Sequence, residues 1–269
     1  MSNAAQSREI LSGQYSSHCE RLIHEEAFGV FPEFVAQVVG YVKSPLCKPD
    51  LHMMVDVGAG TVDISIFNVH EIEEDEFILP IYAKDVKPYG THFLMKHRQS
   101  KALAGTKVIW SEQDKIPSEA EFQQMMKISM PQLREIDNEF IKMIGTTMRE
   151  LLKYTKEKRY PKSPRWQDGI PTFLCGGGGN VDVYSEIVGR FENGNHSYKV
   201  RVEKLPQPKQ LKAPQLPENS YDRLSVAYGL SYNAMDINLV IQANMIADVT
   251  IDPIVPDPYS GIFVSKECV

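Results

Sequence analysis

The chain is poor in cysteine. Its four, Cys19, Cys47, Cys175 and Cys268, are widely spaced and form no C-x-x-C pair. That excludes a disulfide framework and the common structural zinc patterns, and reduced thiols are expected. No apolar run approaches the ~18 residues of a spanning helix, and the first residues carry no apolar stretch like that of a signal peptide. A cytoplasmic protein without a membrane partner is expected. Positive charge is also scarce: 29 Lys and Arg stand against 35 Asp and Glu, a formal net charge of −6. A mildly acidic chain without a basic stripe argues against nucleic acid as a partner. A small anion stays open, because backbone amides bind phosphate without side-chain charge.

What is present suffices for a core. The 269 residues are 42% hydrophobic and 24% charged, ordinary globular usage for one large domain or two small ones. Residues 8–42 read as helical with an interruption at Gly29–Pro32. Beyond it, Phe34, Val35, Val38, Val39 and Val42 recur at three- and four-residue spacings, an apolar helix face. Ala36 and Gly40 lie on that helix, so another element can approach closely there. Pro45 and Pro49 end it.

Residues 51–69, LHMMVDVGAGTVDISIFNV, are the most informative stretch. Two β-rich runs, Met53–Val57 and Val62–Val69, flank the turn Gly58-Ala59-Gly60-Thr61. In the second run Val62, Ile64 and Ile66 alternate with Asp63, Ser65 and Phe67, which predicts a strand with unlike faces. A third strand follows at Phe77–Ala83, completing an antiparallel meander. Residues 91–103 and 118–128 read as polar helices. A long helix then carries Pro131 in its first turn and a stripe of Leu133, Ile136, Phe140, Ile144, Met148 and Leu151. Ile170–Cys175 reads as a buried strand, residues 181–191 as a helix, Tyr198–Val202 as a strand, and residues 222–233 as a helix rich in small residues. Residues 205–218 hold four prolines and read as a surface connection.

Two glycine segments carry the chemistry. In Asp56-Val57-Gly58-Ala59-Gly60-Thr61-Val62-Asp63 a strand delivers a carboxylate into a turn whose amides can cradle phosphate. Thr61 adds a hydroxyl, and Asp56 can hold Mg²⁺, which favours one or two carboxylates beside phosphate oxygens. In Cys175-Gly176-Gly177-Gly178-Gly179-Asn180 an apolar strand runs into bare backbone and then a helix start. A flat ring or a sugar can lie there. A plain hairpin turn and a flexible loop are the bland alternatives. The pairing of two such segments, each after a strand, favours a ligand.

In this order the elements resemble the second nucleotide-binding lobe of the actin, sugar-kinase and DnaK-type heat-shock ATPase superfamily, nearest its heat-shock branch. Asp56–Asp63 is similar to the second phosphate motif and Leu174–Asn180 to the adenosine motif. Phe31-Pro32-Glu33-Phe34-Val35-Ala36-Gln37 is similar to the crossover helix, often written E-P-x-A-A. Tyr89-Gly90-Thr91-His92-Phe93 sits at that branch's glycine pair, and Asp222–Leu230 is similar to its E-A-V-A-Y-G-A helix. The resemblance implies an α/β lobe of ribonuclease H-like type: a mixed sheet opening with the meander, helices on both faces, and a small insertion at about 94–130. It implies ATP or ADP with Mg²⁺ as ligands. Asp56 would serve the metal and the attacking water, and Glu33 would lie near the metal. Gly58, Ala59, Gly60 and Thr61 would contact phosphates, and Gly176, Gly177, Gly178 and Asn180 the adenosine.

Nothing before residue 51 resembles the family's first phosphate hairpin, and the heat-shock branch's catalytic lysine has no counterpart. Asn180 stands where that branch has an arginine. The expectation is therefore residues 1–50 as a remnant of the first lobe with the crossover helix, 51–235 as the second lobe, and 236–269 as a tail. Such a lobe alone would be inactive or bind nucleotide weakly. The parent would be a chaperone-like or regulatory ATPase partnered by the missing lobe and another protein, or else a filament-forming actin-like protein, a sugar-kinase-like phosphotransferase or a nucleotide sensor.

Other tempting residues read as ordinary. The histidines are expected at the surface, since His92 and His97 miss the i, i+4 spacing of a helical metal pair. Cys175, Trp110 and Trp166 read as packing residues, and Lys153–Lys162 as a solvated helix end.

Overall fold

The computed structural model describes residues 32–73, 76–102, 115–193, 198–212, 214, 221–232 and 240–249. The expected helix before Gly29, Trp110, the tail beyond Val249, and Cys19 and Cys268 lie outside them.

Helix α1 spans Glu33–Val42 and is followed by the meander β1 Asp50–Val57, β2 Val62–Glu73 and β3 Glu76–Lys87. Next come α2 Thr91–Ala102, α3 Glu119–Met126 and α4 Met130–Tyr154, the last extended by a π turn at Thr155–Arg159. A short α5 (Arg165–Asp168) leads into β4 Ile170–Cys175, α6 Asp182–Asn193 and β5 Val200–Glu203. A 3₁₀ turn at Tyr221–Arg223, α7 Ser225–Gly229, β6 Val240–Ile241 and a second 3₁₀ turn at Ala243–Met245 complete the described chain.

The six strands form one mixed sheet in the order β5-β4-β1-β2-β3-β6. β1, β2 and β3 pair antiparallel, while β4 lies parallel to β1, β5 to β4, and β6 to β3. The meander and its two parallel neighbours give the ribonuclease H-like order expected of an actin-like lobe. Parallel pairing of β4 with β1 requires a long crossover, and α4 supplies it.

Helices cover both faces. On one, α4 and α6 bury Ile144, Met148, Ile187 and Val188 against Met53, Val55, Ile64 and Ile66. On the other, Val35, Val38 and Val42 of α1 pack with Met54, Phe67 and Phe173. This corrects the expectation for β2: Val62–Val69 does not split into a buried and a wet face, since every residue but Asp63 is buried. Its alternation sorts side chains between two cores rather than between core and water.

The small residues act as expected. Gly229 of α7 sits against the backbone of Ala36, where any Cβ would collide with the Ala36 carbonyl, and Gly40 faces Tyr221 and Tyr228. α7 is shorter than the predicted helix: residues 221–223 form a 3₁₀ turn and the α-helical run covers only Ser225–Gly229.

Along α4 the buried face is rotated slightly from the predicted stripe: Asp137, Ile141 and Leu152 are buried, while Ile136 and Leu151 are only half-buried. Asp137 turns inward because Arg98 of α2 meets it, Nε to Oδ1 at 2.7 Å and Nη2 to Oδ2 at 2.8 Å. Both residues are buried, and the guanidinium also lies over the Phe122 ring of α3. The expected insertion region is joined to the lobe by this pair and by a small core of Met95, Phe122, Met126 and Leu133.

His52 corrects the surface reading of the histidines. It is fully buried, its ring stacked between Phe67 and Phe173, with its nitrogens 2.9 Å from Tyr41 Oη and 2.8 Å from the Asp50 carbonyl. Trp166 is a packing residue whose Nε1 donates to the Tyr160 carbonyl at 2.8 Å. The basic helix end also makes internal contacts: Lys156 lies over the Trp166 and Tyr198 rings, and Arg159 pairs with Asp248.

Candidate functional site

The carboxyl ends of β1 and β4 lie side by side, with Asp56 opposite Cys175 in the parallel register. The two glycine segments that follow these strands therefore meet. The Gly178 amide donates to the Val57 carbonyl at 2.9 Å, and a Cβ on Gly178 would strike Val57 and Thr91 at 2.5 Å. Gly176, at φ +80, takes a left-handed conformation that suits glycine, and its missing Cβ leaves room for Asp56 Oδ1.

The Gly58–Thr61 turn closes through a 2.9 Å bond from the Gly58 amide to the Thr61 carbonyl. Its own carbonyls are taken by the start of α2. The amides of Gly90, Thr91 and His92 donate to the carbonyls of Gly60, Gly58 and Ala59 at 3.3, 3.1 and 2.9 Å. Gly90 has to be glycine for this docking, since its Cβ would meet the Ala59 oxygen at 2.5 Å. In a trans peptide the C=O and the following N–H point in opposite directions. The amides of Ala59, Gly60 and Thr61 therefore face away from α2, toward the exposed side of the turn. Open space surrounds the Cβ position of Gly60.

Below the turn lies a carboxylate pair. Asp56 and Asp63 are directly opposite across β1 and β2, and Glu33 stands exposed in the first turn of α1. Asp56 Oδ2 accepts a 2.6 Å bond from Gln37 Nε2. Burial holds the Asp56 carboxyl above its usual range; the Gln37 bond opposes this and the Asp63 charge adds to it. Burial likewise raises Asp63, against a bond from Thr61. Partial desolvation of the Glu33 carboxyl, and then the charges of Asp56 and Asp63, raise it above its ordinary value. Gln37, Asp56, Asp63 and Glu33 line one cavity of about 210 Å³. Asp63 Oδ1 is buried there without a hydrogen-bond partner among the described residues.

These residues fit Mg²⁺ as a partly hydrated ion held with phosphate oxygens: a half-buried carboxylate pair and an unpartnered oxygen face one small cavity. Among the described residues no three His, Cys, Asp or Glu side chains converge as a metal cage of their own.

On the other side, Gly177 and Asn180 are exposed, and the exposed Arg223 guanidinium comes within 3.9 Å of the Cβ position of Gly177. A polar cavity of about 680 Å³ lies between α4 and α6, lined by Glu119, Arg134, Asp182, Glu186 and Arg190 among others.

No family model matches the chain, and no curated protein does. Solved structures are similar at low identity. One is MreB 5 of Spiroplasma citri bound to AMPPNP, 12% identical over 81% of this chain and 63% of that one, TM-score 0.46. An archaeal actin homolog is 15% identical over 74% of this chain and 53% of that one, TM-score 0.40. The ethanolamine utilization protein EutJ from Carboxydothermus hydrogenoformans is 20% identical over 64% of this chain and 49% of that one, TM-score 0.33. The chain thus spans less than two thirds of the length of each of these structures.

The sequence-predicted residues fall into one continuous region: Glu33, Asp56 and Gly58–Thr61 at one end, Gly176–Gly178 and Asn180 at the other. Sequence reasoning assigned no role to Gln37, Asp63 or Arg223. Gln37 follows Glu33 by one helical turn and Asp63 closes the hairpin opposite Asp56, so both were findable from spacing. Arg223 reaches the glycine loop through tertiary packing alone, and no sequence signal marks it. No described helix is long and apolar enough to cross a membrane.

Proposed function

We propose that the described residues form the second nucleotide-binding wall of an actin-like ATPase, taking ATP or ADP with Mg²⁺. The supporting observation is the Gly58–Thr61 turn, whose carbonyls are consumed by α2 so that three consecutive amides face outward beside the Asp56–Asp63 pair. Phosphates sit on those amides and adenosine over Gly176–Gly178, with Asn180 at its edge. Asp56 serves the cation and the attacking water, and Glu33 adds charge from α1.

The order of motifs resembles the heat-shock branch. The same wall would serve a chaperone-like regulator, a filament former or a phosphotransferase, and light scattering of the chain with ATP against concentration separates the filament former. Phosphoryl transfer depends on charge and positioning from both sides of the phosphate. The described residues supply one side, so turnover by this chain no faster than a blank is expected.

Calorimetric titration with ATP tests the reading. Gly60→Val places a side chain in open space at the exposed turn, so its melting temperature should match the wild type. Its affinity for ATP should fall at least tenfold. A wild type that binds no nucleotide, or a Gly60→Val variant that binds as well, overturns the assignment.

A further inference from the structure

The 3₁₀ turn Tyr221–Arg223 that leads into α7 is fixed from the inside. Tyr221, 4% exposed, belongs to the core that holds Cys175, and Leu224 packs against the same core. The Leu224 amide donates to the Tyr221 carbonyl at 2.8 Å, and Ser225 Oγ donates to the Asp222 carbonyl at 3.1 Å. Arg223 is the exposed residue of this anchored turn. Its guanidinium lies along the loop after β4, with Nη2 3.9 Å and Nε 4.0 Å from the Cβ position of Gly177. Among the described residues Arg223 makes no hydrogen bond and no ion pair. The neighbouring Asp222 carboxyl, raised by burial, is brought down by the charge of Lys204 instead.

The arginine stands beside an acidic site, since Glu33, Asp56 and Asp63 line one cavity there. The two glycine loops are contiguous: Gly176 packs on Asp56, and the Gly178 amide is bonded to the Val57 carbonyl. A nucleotide laid from one loop to the other passes Gly177 with its sugar and first phosphate. A guanidinium is suited to that phosphate, because its planar fork of donors matches two phosphate oxygens at once.

We propose that Arg223 is a specificity-determining residue: it pairs with the sugar-linked phosphate of the bound nucleotide, so that the site separates nucleotide from nucleoside through a side chain as well as through the amide turn. The inference rests on the nucleotide reading above and assigns the stretch of ligand between the two glycine loops.

AMP and adenosine differ by that one phosphate, and AMP lacks the outer phosphates assigned to Gly58–Thr61. Titration of the full chain with each, followed by NMR in EDTA, isolates the contact, and titration with ATP reads the underlying assignment. The wild type should bind AMP about fivefold more tightly than adenosine, the scale of an exposed but well-aligned ion pair. Arg223→Gln should melt like the wild type and bring AMP down to the level of adenosine, with adenosine itself within about twofold of its wild-type affinity. Arg223→Lys keeps the charge without the fork and should retain about half of the preference. A preference for AMP that persists in Arg223→Gln overturns the proposal while ATP binding stands. Equal losses for AMP and adenosine also overturn it, since they put the guanidinium against the ring and not the phosphate. A wild type that binds no ATP removes the nucleotide reading itself.

Discussion

The Gly178 amide donates to the Val57 carbonyl at 2.9 Å, and through this bond the loop after β4 is fastened to the end of β1. Both strands run in the same direction, so both loops emerge from one edge of the sheet. Ligands of open α/β sheets bind at that edge, outside the carboxyl ends of the strands.

The glycines of the two loops should separate by environment. Gly178→Ala and Gly90→Ala force a Cβ into contacts at 2.5 Å, against side-chain carbons and against backbone respectively. Each should cost about 1–3 kcal/mol, the usual penalty for overpacking. Gly60→Ala meets nothing within 4 Å and should melt like the wild type. Equal melting temperatures across the three variants would show that the loops are not packed as described.

Asp137→Ala should be among the most damaging substitutions outside the site. It strands Arg98, 1% exposed, without its bidentate partner. Loss of one member of a buried pair costs roughly 3–5 kcal/mol. The double variant Arg98→Met, Asp137→Leu should recover most of that in urea denaturation, because no buried charge is left.

Acid should weaken the fold through His52. Burial lowers its pKa from 6.5 to about 4, so the unfolded chain takes a proton more readily than the folded one. The contribution is present above about 6.5 and is lost as the pH falls toward about 4, roughly 3 kcal/mol in full. His52→Gln should be less stable at pH 7 yet show a flatter profile over that window. A parallel profile for the two proteins would mean another group carries the acid response.

Asp56 works in the opposite sense. Its carboxyl is raised by burial, so the folded chain holds that proton more tightly. Its stabilising contribution is present below the unfolded value of about 3.9 and disappears as the pH rises through the folded value. At pH 7 the ionised carboxylate is a cost. Asp56→Asn should therefore melt above the wild type at pH 7, with the gap closing below about pH 4. A lower melting temperature at pH 7 would make Asp56 a structural anchor.

The amino-acid sequence determined the strands of the meander, β4, and the helices α4 and α6, because each carries a periodicity or a glycine stop that local geometry reads directly. It also determined that two glycine segments follow strands, and that Ala36, Gly40 and Gly229 permit close approach. Only the tertiary structure decided which face of β2 meets which core, because a strand covered on both sides shows no hydrophobic contrast between its faces. Only packing could place β6 on β3, since a two-residue strand has no period to detect. The inward turn of Asp137 and the burial of His52 depend on partners, Arg98 in one case and Phe67 and Phe173 in the other, that lie far away along the chain. The same holds for the site. Composition and spacing marked its glycines and Asp56, but Gln37 entered it because α1 packs across β1 and sets that amide against the carboxylate at hydrogen-bonding distance.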